Sequence, residues 1–200
     1  GMFAGYVTWM LAMMGCTDLA WNVSNEIQTG TFEQQCLSPL GYKWIAVFNE
    51  TFNFADNAIM VLALTLVMSA TTGQRVHLQL SSVIPVMLSI YVQAVGLGFC
   101  LAGLALIYKR IQSFFQVVQF LIIGVFFIPW DTFPLAKYLP LAASQRLLQK
   151  VVIDGTKVWQ ASSRDLLLVL GVTVAYLAAG ILCFSIAESK ARTKGLLGQY

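Results

Sequence analysis

The chain has 200 residues, of which 58% are hydrophobic and 10% are charged, with a formal net charge of +3. Soluble domains carry roughly 25% charged residues, so this composition excludes an ordinary water-soluble surface. The weak positive charge forms no basic stripe and does not indicate a nucleic-acid partner. We therefore predict an all-α integral membrane protein that forms a single domain over residues 1–200.

Five apolar segments are predicted to cross the membrane. Crossing the hydrocarbon takes about 20 residues of helix, and backbone in lipid must satisfy its own hydrogen bonds. No series of ~10-residue alternating segments indicates a barrel. The predicted spans are residues 2–21, 44–70, 82–108, 114–130, which is rather short, and 166–187.

The polar stretch Asn25–Gly41 separates the first two apolar segments and carries signals for a short helix. Thr31 and Gln34 have the spacing of a capping box. Glu33 would lie in the first turn, where a negative charge suits the helix dipole. A glycine just before Thr31 can turn the chain sharply, and Pro39 ends the helix. Such a stiff element suits a mechanical contact, although the same signals also fit an interfacial helix without a partner.

The second predicted span carries polar residues in its first half. Asn49, Asn53 and Asn57 recur at intervals of four, with Glu50 and Asp56 nearby. Polar groups at membrane depth usually face a bundle interior or a water-filled path. We interpret Glu50 as lying near headgroups and water. Asn53, Asp56 and Asn57 are candidates for a substrate pathway, with contacts between helices as the alternative.

Other features of the sequence indicate packing rather than chemistry. Ala94, Gly98 and Ala102 form a ridge of small residues that favours close helix contact. The cysteines are too far apart to predict a metal site or a disulfide framework. The sequence has no phosphate-binding loop and no hydrolase or metalloprotease motif. We therefore expect neither an enzyme nor a cofactor bound by this chain.

The long loop at residues 131–165 is too apolar for a flexible linker and too interrupted to span. Pro134 and Pro140 interrupt helix formation within it, because each fixes its own backbone and disfavours a helical conformation of the residue before it. The segment Ser144–Val152 has helical periodicity and ends before Asp154-Gly155. Its apolar side comprises Leu147, Leu148, Val151 and Val152. This pattern predicts an amphipathic helix that either dips into the membrane and returns or packs on the bundle surface.

The order of these elements resembles the type 2 permease subunits of ATP-binding-cassette exporters. In that family an E-x-x-x-G-T-x-E element, usually closed by Ser-Pro, is the cytosolic coupling helix that docks on the ATPase. The matching residues here are Glu26, Gly30, Thr31, Glu33, Ser38 and Pro39. The family's re-entrant exofacial helices follow a G-x-F-F-P-like segment, and a Leu-Pro pair precedes the second of them. The matching residues are Gly124, Phe126, Phe127, Pro129, Leu139 and Pro140.

The resemblance implies a multi-pass subunit of the cell membrane. It would pair with a second permease copy, contact membrane lipid, and dock on separate ATPase subunits that bind ATP and Mg. Lysine and arginine counts in the loops are equal on the two sides, so the positive-inside rule alone does not orient the chain. The resemblance places the coupling element and the C-terminal tail in the cytosol and the long loop outside.

The sequence departs from the family in its number of spans. Family members usually have six, and the span that would precede residues 2–21 is missing, so we expect this chain to be a fragment of a longer protein. Two other functions remain open from the sequence: an ion-coupled secondary transporter, and a membrane assembly or scaffold protein that transports nothing. A neighbouring gene for a phosphate-loop ATPase would favour the exporter. The sequence does not identify the substrate.

Overall fold

The computed structural model describes residues 2–36, 38, 42–72, 80–108, 112–126, 139–153 and 155–193. Every regular element within these ranges is a helix, as predicted. In chain order they are α1 (Met2–Met13), a π-helical turn (Met14–Asp18), α2 (Leu19–Thr29), α3 (Thr31–Cys36), α4 (Tyr42–Thr72), α5 (Leu80–Ile107), α6 (Gln112–Phe126), α7 (Ala142–Ile153), a 3₁₀ turn (Val158–Gln160) and α8 (Ser163–Thr193).

Three of these helices are long and apolar enough to cross a membrane. They are α4, α5 and α8, through the segments Trp44–Val67, Ser81–Ile107 and Ser163–Ala191. Helix α6 carries a shorter apolar segment, Ser113–Gly124. The first predicted span is also helical, but a π-helical turn interrupts it. Apolar side chains cover much of the outer surface of α4 and α8, as expected for helices that face lipid.

Helix α5 is the central element, and glycines allow α8 to approach it closely. A Cβ atom added to Gly180 of α8 would lie 2.1 Å from the carbonyl oxygen of Gly96 on α5. On the opposite side of α5, a Cβ atom at Gly98 would lie 2.9 Å from the carbonyl oxygen of Gly15. The predicted small-residue ridge is therefore confirmed as a packing surface, with Ala94 and Ala102 both fully buried.

The first helical segment extends further than predicted. Helix α2 continues to Thr29, so residues 25–29 belong to the first helical segment rather than to a polar stretch that follows it. The reason is an apolar stripe that continues beyond Trp21: Val23 and Ile27 are buried at helical spacing. Gly30 then ends the helix with a left-handed backbone, φ +74°, and its N–H bonds to the carbonyl oxygen of Ile27 at 3.2 Å. This confirms the sharp turn expected at Gly30.

The predicted amphipathic helix is present as α7. Its apolar side chains pack inward: Leu148 is fully buried, and Leu147, Val151 and Val152 are nearly so. Arg146 and Gln149 lie on the exposed side. Pro140 lies in the turn before α7, whereas Pro129 and Pro134 lie outside the described residues. A left-handed glycine, Gly155 with φ +65°, follows the helix.

Candidate functional site

The predicted coupling residues meet where α2 turns into α3, a region called here the elbow (Glu26–Cys36). Only Gly30 separates the two helices. The carboxylate of Glu26 accepts a hydrogen bond from Gln35 Nε2 at 3.1 Å, which joins α2 to α3. The hydroxyl of Thr31 lies 3.3 Å from the carbonyl oxygen of Glu26, to which it donates. Thr31 also lies 3.0 Å from the hydroxyl of Thr29. The elbow is therefore braced by side chains and is not a flexible loop.

The remaining coupling residues are placed less completely. Ser38 is half-buried, and its N–H bonds to the carbonyl oxygen of Gln35 at 3.2 Å. Glu33 belongs to α3, but its side chain lies outside the described part of the structure, as does all of Pro39. The capping box between Thr31 and Gln34 stays a prediction.

Four buried aromatic rings, called here the ring chain, connect the elbow to the three long helices. Phe32 of the elbow packs on Tyr42 of α4, with ring centroids 4.7 Å apart. Tyr42 stacks on Phe184 of α8 at 5.6 Å and 28°. Phe184 meets Phe99 of α5 edge-on, also at 5.6 Å. None of the four is more than 3% exposed. A displacement of α3 would therefore act on large, close-packed side chains of α4, α8 and α5.

The ring chain was not anticipated from the sequence. A signal was present, since Tyr42 and Phe184 lie near the ends of predicted spans. Aromatic residues are common at such positions because they suit the membrane interface. Which rings would meet was not predictable, because their contacts join positions far apart in the chain.

A second polar group of residues lies between α4 and α5. Glu50 is only 4% exposed. Its carboxylate accepts hydrogen bonds from the Tyr91 hydroxyl at 2.7 Å and from Asn53 Nδ2 at 3.4 Å. The expectation that Glu50 reaches headgroups and water is therefore wrong. The helix turns this side chain towards α5, where Tyr91 provides the donor that a buried carboxylate requires.

The structure separates the three predicted pathway residues. Asn53 and Asn57 lie one turn apart and are half-buried, on the side of α4 that carries Glu50. Asn57 neighbours the Tyr91 hydroxyl. Asp56 is exposed on another side of the helix. A groove of about 160 Å³ between α4, α5 and α8 has Glu50 and Tyr91 on an otherwise mainly apolar wall. That any of these residues contacts a substrate stays a prediction.

A third polar contact was not anticipated from the sequence. Gln93 lies near the middle of α5 and is fully buried. Its amide nitrogen donates to the hydroxyls of Ser144 on α7, at 2.7 Å, and Thr173 on α8, at 2.8 Å. Its amide oxygen accepts the backbone N–H of Leu141 at 2.9 Å. One amide thus joins three elements. The available signal was a lone glutamine within the long apolar segment Ser81–Ile107.

Leu141 shows why this contact matters for the start of α7. It is a buried leucine with a left-handed backbone, φ +67°, a conformation that is costly for a residue with a branched side chain. The hydrogen bond from its N–H to Gln93 satisfies a buried backbone donor. Gln93 therefore stabilises the turn that sets the direction of α7.

These contacts can hold helices together and pass a displacement from one helix to another. They do not form a recognisable reactive centre. Across the described ranges no three His, Cys, Asp or Glu side chains are grouped to hold a metal ion. The three contacts differ in chemistry: the elbow packs through aromatic rings, Glu50 accepts hydrogen bonds from Tyr91 and Asn53, and Gln93 forms a three-way hydrogen-bond junction. Comparisons with protein-family models, curated proteins and solved structures find no match to this chain.

Proposed function

We propose that this chain is the membrane subunit of an ATP-binding-cassette exporter, in which two permease copies form the substrate pathway and dock on separate ATPase subunits. The observation that carries the proposal is the connection between the elbow and the ring chain. A docking element needs to be stiff and to be packed against the helices that move. The brace between Glu26 and Gln35 supports the first requirement, and the packing of Phe32 on Tyr42 supports the second.

In the proposed mechanism the ATPase subunits bind ATP and Mg and close against each other. Their closure displaces the elbow, and the ring chain passes the displacement to α4, α8 and α5. The permease pair then changes between two arrangements that differ in their affinity for substrate, because only such a difference lets ATP binding shift the equilibrium. The elbow and the C-terminal tail would lie in the cytosol of this multi-pass membrane protein.

In the proposed arrangement the chain has five spans and a re-entrant helix. The spans are the segment from α1 to α2 and the helices α4, α5, α6 and α8. Support for a re-entrant α7 comes from its contacts at both ends. Its start bonds to Gln93, roughly 20 Å along α5 at ~1.5 Å per residue. The N–H of Val158, just after α7, lies 3.4 Å from the hydroxyl of Ser82, at the beginning of α5. Helix α7 thus extends from the middle of α5 to the beginning of α5.

A site-specific photo-crosslinking experiment tests the docking role of the elbow. A benzophenone amino acid replaces Gln34, which is exposed on α3, in the full-length protein in its native membrane. The matched control carries the same group at Thr156, exposed beyond the opposite end of the bundle. We expect illumination to attach a phosphate-loop ATPase, identified by mass spectrometry, at position 34 and not at position 156.

Other crosslinking outcomes would contradict the proposal. An ion-coupled carrier, which would use the cluster of Asn53, Asp56 and Asn57 directly, needs no ATPase and gives no such adduct. A scaffold protein also gives none, or gives adducts with other membrane proteins. Equal ATPase labelling from positions 34 and 156 would show that proximity at the membrane, rather than docking at the elbow, produces the adduct.

A further inference from the structure

The exposed side of α7 meets the beginning of α8 at a small charged cavity. The cavity encloses about 80 Å³ and has both polar and apolar walls. Lys150 of α7 pairs with Asp165 of α8, with Nζ and Oδ2 2.9 Å apart. Arg146 lies one helical turn before Lys150 and also lines the cavity. The apolar walls comprise Ala143, Leu147, Leu168 and Val169.

The charges of this cavity do not cancel. The carboxylate of Asp165 is engaged by Lys150, and no carboxylate in the described part of the chain pairs with Arg146. One positive charge therefore remains on an exposed guanidinium. Arg146 follows Ser144 closely, and Ser144 bonds to Gln93 near the middle of α5. In a membrane this places the guanidinium inside or at the edge of the hydrocarbon, where an unpaired charge is costly.

The surroundings of the cavity indicate that lipid can reach it. Leu167 and Leu170 of α8 flank the lining residues and are 70% and 60% exposed. Side chains of this kind on a spanning helix contact acyl chains. An arginine beside such a surface can extend to the headgroup region while its stem stays in apolar contact. The cavity thus combines one unpaired cation with an adjoining surface suited to a lipid tail.

We propose that the cavity binds the phosphodiester of an anionic membrane lipid, with Arg146 as the main ligand. Guanidinium presents two parallel N–H donors that suit phosphate oxygens. Lys150, held by Asp165, contributes a second cation, and the net charge of +1 on the three side chains matches one phosphodiester. The lipid's acyl chains would lie on Leu167 and Leu170. This site requires membrane insertion but no ATPase, so it stands or fails independently of the proposed function.

Lipid-dependent melting of the purified full-length protein tests the site. Phosphatidylglycerol is titrated into the protein in a neutral detergent, with phosphatidylcholine and water-soluble glycerol phosphate as comparison ligands. We expect phosphatidylglycerol to raise Tm most, because a ligand that binds the folded state stabilises it. In Arg146→Gln the apparent affinity should fall roughly tenfold or more, since a charge-assisted hydrogen bond is lost. Arg146→Lys should retain part of it.

Arg164→Gln is the matched control, because Arg164 is exposed next to Asp165 and does not line the cavity. It should keep the full response to phosphatidylglycerol, and all variants should melt alike without lipid. An unchanged response in Arg146→Gln would overturn the proposal. An equal loss of affinity for phosphatidylglycerol in Arg164→Gln would show that the effect comes from general surface charge rather than from the cavity. An equal response to phosphatidylcholine would exclude an anionic ligand, and a response to glycerol phosphate alone would identify free phosphate instead of lipid.

Discussion

The elbow and helix α7 are both attached to α5 and α8, but by opposite kinds of contact. The elbow is attached through packed rings, with Phe32 on Tyr42 and Tyr42 on Phe184. Helix α7 is attached through Gln93, whose amide meets one backbone donor and two hydroxyls. Ring contacts tolerate changes of angle because dispersion is not directional. Hydrogen bonds weaken steeply when misaligned. The comparison teaches that the elbow can shift while packed, whereas α7 must break bonds to move.

The largest expected loss of stability comes from disrupting the close contact between α5 and α8, to which both the elbow and α7 are attached. Gly180→Ala places a Cβ atom where only 2.1 Å separates it from the carbonyl oxygen of Gly96, so α5 and α8 must separate. We expect a loss of about 3 kcal/mol or more in the free energy of unfolding, at the upper end for overpacking, measured by denaturing-detergent titration. Gly171→Ala on the same helix meets nothing within 4 Å and should leave the midpoint unchanged or raise it slightly, because alanine favours a helix more than glycine does. Equal midpoints for both variants would contradict this close contact.

A smaller loss of stability, which concerns the attachment of α7 and not that of the elbow, is expected from Gln93→Leu. The substitution leaves the N–H of Leu141 and the hydroxyls of Ser144 and Thr173 without their amide partner. Unmet buried groups cost about 1–3 kcal/mol each in water-soluble proteins and less between membrane helices. We therefore expect a loss of about 2 kcal/mol in the free energy of unfolding, measured by the same denaturing-detergent titration. The control is Gln116→Leu on α6, which should change this free energy by almost nothing because Gln116 is exposed.

The same variant should also loosen α7 specifically. In a background without native cysteines, a cysteine at the buried position Leu148 should resist a membrane-impermeant thiol reagent, and Gln93→Leu should make it react faster. Labelling of a cysteine at exposed Lys157 should not change. Uniform stability loss without faster labelling at position 148 would mean that Gln93 supports the whole bundle rather than α7.

The smallest effect on stability, but a specific effect on coupling, is expected at the elbow. Phe32→Leu keeps an apolar side chain and removes the ring contact with Tyr42, so we expect about 1 kcal/mol of destabilisation. Under the proposed function, the rate of ATP hydrolysis by the chain reconstituted with its ATPase subunits should change several-fold. Phe115→Leu is the control, because Phe115 is equally buried and packs on Trp21, away from the ring chain. Equal hydrolysis rates in the two variants would contradict transmission through Phe32.

Local features of this fold were predictable, and contacts between distant segments were not. Gly30 predicted the turn, and the hydrophobic periodicity of Ser144–Val152 predicted the amphipathic helix. Both predictions were possible because backbone freedom and hydrophobic spacing are local properties. The partners of Gln93 and of the four rings could not be predicted, because they depend on which helices pack against each other. Glu50 was misjudged for the same reason: its position along α4 was known, but not that Tyr91 would face it.

The π-helical turn at Met14–Asp18 governs the rotational phase of the first helical segment. Ala4 and Ile27 are both buried, yet at ~100° per residue an unbroken α-helix would rotate one from the other by roughly 140°. A π turn accommodates one extra residue, which takes back about 100° of that rotation. The turn therefore keeps a single stripe facing α5 along the whole segment. Deleting one residue there would therefore give a regular α-helix in nearly the same phase, whereas an unbroken α-helix of the present length would rotate the elbow by about 100° away from Tyr42.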